Sequence, residues 1–132
     1  MTVMNWIREF AIANPRFTSN GFECPPERFK EWRAELFTPA FEHMVCTATI
    51  AFTDSPPKAY PWAITRSSSY WLKHAVERWV KENPNPYYAG YIRNGAAIVA
   101  LASLCYEPKR RWFDGPNCTF KKKAPALRRP GR

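Results

Sequence analysis

The stretch GYIRNGAAIVALASL, Gly90 to Leu104, is apolar almost throughout. A helix without a polar side has no face to offer water, so a small chain must be built around it. Tyr91, Ile92, Ile98, Val99, Leu101 and Leu104 are its large residues, while Gly95, Ala96, Ala97, Ala100 and Ala102 are small and let another element come close. Gly95 weakens a helix relative to Ala, so close packing at that point is its expected purpose. The longest wholly apolar run, Ala96 to Ala102, is far too short to span a bilayer. The stretch therefore reads as the buried central helix of a domain, and no membrane partner is expected.

The flanking segments supply what would surround it. Ser67 to Val80 reads as an amphipathic helix, with Leu72, Ala75, Val76, Trp79 and Val80 on one side and Lys73, Glu77, Arg78 and Lys81 largely on the other. Ser68 or Ser69 is its N-cap, and Asn83-Pro84-Asn85-Pro86 breaks it. Val3 to Ala13 carries Met4, Ile7 and Ala11 at helical spacing and stops at Asn14-Pro15. A helix over ERFKEWRAELF follows Pro25-Pro26, with Phe29, Trp32, Leu36 and Phe37 on one face, and Thr38-Pro39 stops it. Phe41 to Phe52 is ambiguous: its first half suits a helix, and its β-branched second half, Val45 to Ile50, suits a strand. Asp54 to Trp62 reads as an extended, proline-rich connection. After the central helix, Arg111–Phe113 and Cys118–Phe120 suit the strands of a small hairpin turned by Asp114-Gly115-Pro116-Asn117. The expected fold is α+β and mainly helical: about four helices around a central apolar helix, with a small C-terminal β-hairpin. At 132 residues one globular domain over 1–120 is expected, with residues 121–132 as a basic, proline-containing flexible tail.

Charge narrows the candidate functions. The chain carries +9, and Glu107 to Arg132 holds nine Lys/Arg against two acids, so +7 of it belongs to the C-terminal segment. A basic end on a nearly neutral body suits contact with phosphates, and suits a solubilising tail equally well. The candidate contacts are Lys109, Arg110, Arg111, Lys121, Lys122, Lys123, Arg128 and Arg129. Trp112, set among them, has two readings: packing on the core, which is favoured, or stacking on an exposed base. Lys73, Arg78 and Lys81 form a secondary contact face. The order helix, helix, basic hairpin is that of a winged helix-turn-helix, but Gly90 to Leu104 offers only Arg93 and Asn94 for reading bases, so groove recognition is disfavoured.

No catalytic motif stands out. Cys24, Cys46, Cys105 and Cys118 are widely spaced, MTVMNWIREF has no apolar secretory core, and reduced thiols in a cytoplasmic protein are expected. His43-x-x-Cys46 supplies two metal ligands at most, so no metal and no cofactor are expected. An enzyme using Cys46 or another thiol is the weakest option. SSSYWLKHAVERW, GYIRNGAAIVA and GPNCTF resemble small accessory proteins of phages, prophages and other mobile elements over about the second half of the chain. That resemblance implies a cytoplasmic, bacterial-host setting and action on host nucleic acid or machinery, including anti-CRISPR inhibitors that occupy the surface of an RNA-guided complex. Two functions are thus expected to compete: a non-enzymatic binder of nucleic acid or a nucleoprotein complex, and a host-defence inhibitor. For the second, Tyr60, Trp62, Tyr87 and Tyr88 in proline-rich loops are candidate contacts. The oligomeric state is left open.

Overall fold

The computed structural model describes residues 2–54 and 64–122. Its elements are α1 (Val3–Ala13), a 3-10 turn (Pro26–Arg28) leading into α2 (Phe29–Glu35), α3 (Pro39–Asp54), α4 (Ser69–Glu82), α5 (Asn94–Ser103), β1 (Tyr106–Lys109) and β2 (Thr119–Lys122). Residues 64–66 add a helical turn before α4. The architecture is mainly helical α+β with a two-stranded antiparallel sheet. No helix among the described residues is long and apolar enough to cross a membrane. The expected connection over 55–62, with Tyr60 and Trp62, and the tail residues Lys123, Arg128 and Arg129 lie outside the described residues.

α5 is the centre. Every residue from Asn94 to Leu101 is buried, and α3, α4, α1 and β1 pack around it. The small residues set the spacing: a Cβ on Gly95 would stand 2.6 Å from the carbonyl oxygens of Thr18 and Ser19, so only glycine admits that backbone. The helix starts at Asn94 rather than Gly90, because the Ile92 amide donates to Glu77 Oε2 (2.9 Å) and Arg93 is extended. Helical hydrogen bonding would have to compete with that tie. Beyond the Leu104 cap of α5, Cys105 sits at φ 71°, a left-handed position that usually falls to glycine.

One ambiguity is resolved and one expectation needs correction. Residues 45–50, open between helix and strand in the sequence, are helical, and α3 runs unbroken from Pro39. Thr38 explains the start: its hydroxyl accepts from the Phe41 amide (3.2 Å), while Pro39 takes the first helical position, where no amide is needed. The same hydroxyl donates to Glu35 O (2.8 Å), so one residue closes α2 and opens α3. Helical packing overrides the β-branched preference; Thr49 donates back to Val45 O (2.8 Å), and Val45, Thr47, Ala48 and Ala51 are buried. The hairpin strands are also displaced. Tyr106 pairs with Lys122, Glu107 with Lys121, Pro108 with Phe120 and Lys109 with Thr119. Arg111–Phe113 therefore belong to a loop, residues 110–118, whereas Lys121 and Lys122 lie in a strand. The cause is Asp114, whose carboxylate draws the Arg111 amide (2.8 Å) into a local turn and so removes it from ladder pairing.

Gly95→Ala must push Cβ into two backbone carbonyls, and should lower stability by about 1–3 kcal/mol in urea unfolding. Cys105→Gly relieves a left-handed strain at an exposed position. It should raise stability by about 0.5–1 kcal/mol in the same measurement.

Candidate nucleic-acid interface

The loop 110–118 is tightly braced. Arg110 donates to Glu23 Oε2 (2.9 Å) and Gly115 O (2.8 Å), and its guanidinium lies 5.0 Å from the Phe22 ring. Pro116 O accepts from the Phe22 amide (3.0 Å) and from Asn94 Nδ2 (3.3 Å). At the far end Cys118 N donates to Ser69 Oγ (3.1 Å), while the Ser69 amide donates to Cys118 O (2.8 Å). The loop is thereby fastened to the 22–23 segment, to the head of α5 and to the head of α4.

At its tip Arg111 donates to both oxygens of Asp114 and lies 4.7 Å from the Phe113 ring centre. Trp112 and Phe113 meet edge to face at 5.3 Å and are 92 % and 59 % exposed. The favoured reading of Trp112 as a residue packed on the core is therefore wrong; the indole stands in solvent. The Arg111 hydrogen bonds hold the Asp114 carboxyl below its ordinary value of 3.8, against the opposing effect of desolvation.

The basic residues divide by what they already touch. Arg110 and Arg111 are engaged within the loop. Lys109 and Lys121 are exposed on the outer face of the sheet; Glu107 stands opposite Lys121. Lys122 takes the inner-face register, with Nζ 4.6 Å from the Tyr106 ring. On α4, Lys73 is turned inward to Glu77 (3.4 Å) and the Tyr91 ring (5.3 Å), whereas Arg78 and Lys81 are exposed. Arg93 and Asn94 face the protein interior: Arg93 reaches Ser19 Oγ (2.9 Å), and Asn94 Nδ2 reaches Asn20 O (2.9 Å). α5 is buried and so presents no base-reading face.

Residues that sequence reasoning passed over position the site. Glu23 anchors Arg110, and Glu77, placed on a solvated face by its spacing, takes Ile92 N, Lys73 and His74 together. Arg33 collects the carbonyls of Ala11, Asn14 and Phe17 at 2.8–3.0 Å and so fixes the end of α1. Apart from the local Lys73 and His74 contacts of Glu77, nothing in their local sequence marks these roles, since the other partners are remote or backbone.

The other candidate chemistries fare differently. His43 Nε2 donates to Tyr87 O (2.6 Å), and no group of three or more potential metal ligands occurs among the described residues. Burial, with Glu42 nearby, raises the Cys46 thiol, and burial pushes Cys118 up to about 12, so neither is poised as a thiolate. Tyr88 packs on Trp79 (5.2 Å), while Tyr87 is 82 % exposed. No protein-family model matches this chain, and neither a curated protein nor a solved structure is similar to it.

A depressed carboxyl stabilises the fold above its unfolded value and loses that contribution as pH falls through the folded value. The Arg111–Asp114 turn should therefore persist at neutral pH and open only below 3.8. The Arg111 Nε–H resonance followed by NMR should report this, and Asp114→Asn should remove the transition.

Proposed function

We propose that this chain is a non-enzymatic binding protein that contacts nucleic acid, free or within a nucleoprotein complex, through its basic hairpin. The observation that carries this reading is Trp112, 92 % exposed on a braced loop. Holding a large apolar ring in water forgoes about 2 kcal/mol or more of burial. The bracing also costs conformational entropy that a mere solubilising loop would keep. An aromatic ring beside cations offers a base a stacking face and its phosphates a counter-charge. Lys109 and Lys121 supply that charge, and Lys122 at the strand end adds to it. Lys123, Arg128 and Arg129 extend the same basic run in sequence. Arg110 and Arg111 act here as struts that aim the tip.

The proposed setting is a phage or mobile-element accessory protein in a bacterial cytoplasm. A second reading, an inhibitor of anti-CRISPR type covering the surface of an RNA-guided effector, draws on the exposed Tyr87 beyond the hairpin. The two separate experimentally. Truncation after Lys122 leaves β2 whole and removes the basic end; it should weaken direct nucleic-acid binding and spare capture of a host complex from nuclease-treated lysate.

Fluorescence anisotropy with labelled oligonucleotides tests the first reading. Affinity should fall steeply with salt, and Lys109→Ala with Lys121→Ala should flatten the log–log slope by about 0.7 per lysine on a single strand. Absence of binding to any DNA or RNA at low salt would sink the proposal.

A further inference from the structure

We infer that the ligand is a single strand and that it runs from the Trp112 tip onto a second aromatic platform at the head of α4, made by Tyr70, Trp71 and Tyr91. This inference rests on the nucleic-acid reading above. The three side chains are 46 %, 65 % and 56 % exposed. Tyr70 meets Trp71 edge to face at 5.8 Å and His74 at 4.6 Å. Lys73 Nζ lies 5.3 Å from the Tyr91 ring and 6.0 Å from the Tyr70 ring, so a cation is set between the two phenols.

Three features join this platform to the tip. First, the paired hydrogen bonds between Ser69 and Cys118 fasten the residue before Tyr70 to the residue that closes the 110–118 loop. The loop that bears Trp112 and the helix that bears Tyr70 and Trp71 are thus joined at one point. Second, Glu77 on the same helix is occupied by Lys73, His74 and the Ile92 amide, which lessens its repulsion of a phosphate. Third, Trp71, Arg78 and Lys81 recur at helical spacing along one side of α4, with exposed Glu82 beside them, and this side spans about 15 Å.

The pattern chooses among ligands. Perpendicular ring pairs leave ring faces open, and only unpaired bases can stack on them. A duplex would need an element for its groove, and the helix in the corresponding position is buried. Protein interfaces are depleted in lysine at their centre, whereas here Lys73 lies against two of the platform's rings.

The test is anisotropy with the full 132-residue chain and fluorescein-labelled oligothymidylate and oligouridylate of graded length, with a hairpin duplex as comparison. Trp71→Ala and Trp112→Ala should each weaken binding of a long single strand roughly ten-fold or more. Trp71→Phe should restore most of it, and the shortest oligomers that still bind should be insensitive to position 71. Circular dichroism melting should be unchanged for Trp71→Ala, whose side chain is exposed. If Trp71→Ala binds long strands like the parent while Trp112→Ala does not, the second platform is wrong and the hairpin reading stands. Equal affinity for the duplex overturns the single-strand assignment. If the parent protein binds no oligonucleotide at low salt, or binds only anionic vesicles, both readings fall together.

Discussion

The close contact between the head of α5 and the turn Thr18–Gly21 holds the molecule together. Gly95 N donates to Ser19 O (2.8 Å), Asn94 Nδ2 to Asn20 O (2.9 Å) and Arg93 to Ser19 Oγ (2.9 Å). Ser19 in turn hydrogen-bonds Glu35 at the end of α2, and its amide donates to Trp32 O (3.1 Å). Gly21 sits at φ +116°, and a Cβ there would strike Pro116 O and the Asn94 amide. Chain segments far apart in sequence thus converge on a contact that tolerates no side chain at two points. The Arg93–Glu35 ion pair (3.5 Å) contributes little by itself, because Glu35 is more than a third exposed. The buried backbone bonds weigh more, since a polar group stranded there would cost about 1–3 kcal/mol.

That contact also places the loop that bears Trp112. Asn94 holds the turn and Pro116 at once, so the centre of the fold and the base of the 110–118 loop share one side chain. Arg110 and Glu23 secure the opposite side of the loop. Part of the basic inventory is consequently structural. An arginine already engaged by a carboxylate and a carbonyl has fewer donors to give a phosphate, while lysines on the open strand face retain theirs. Count of charge overstates the phosphate-binding capacity of this surface, and the orientation of a few side chains decides it.

Legibility in the sequence followed the range of the interactions. α1 was readable to its end residues, because its stripe and the Asn14-Pro15 stop are local. The burial of α5 was readable because its composition permits nothing else. The helical second half of α3 was not, since tertiary packing decides between the two states for a β-branched run. Strand register was missed because an Asp–Arg turn competed with the ladder. The site was half legible: the basic residues could be named, and Arg111–Asp114 is a local pair, but Arg110 is a strut only because of Glu23, 87 residues away, and Glu77 is turned inward by the Ile92 amide, 15 residues away. Trp112 shows the limit most clearly, since the same aromatic residue between basic neighbours suits a core-packed strand or a solvent-facing tip until the register is known.

Aromatic residues make up 16 % of the chain, and their placement follows from the same centre. The glycine and alanines of α5 bring backbones close and leave little volume for rings at those points. Phe10, Phe17 and Phe22 form one ring cluster, and Trp79 with Tyr88 another. Trp6 fits only by donating its indole N–H to Val99 O (3.3 Å). Tyr70, Trp71, Tyr91, Trp112 and Phe113 are exposed instead, and the helix that bears Tyr70 and Trp71 is hydrogen-bonded at Ser69 to the end of the loop that bears Trp112 and Phe113. Scattered exposed rings would need no explanation. Rings concentrated where two elements are pinned together, with cations held against them, are preorganised: part of the ordering cost of an encounter is met in folding. A ligand able to use several ring faces and several charges in sequence gains most from that arrangement, and an unpaired polynucleotide has that repeat.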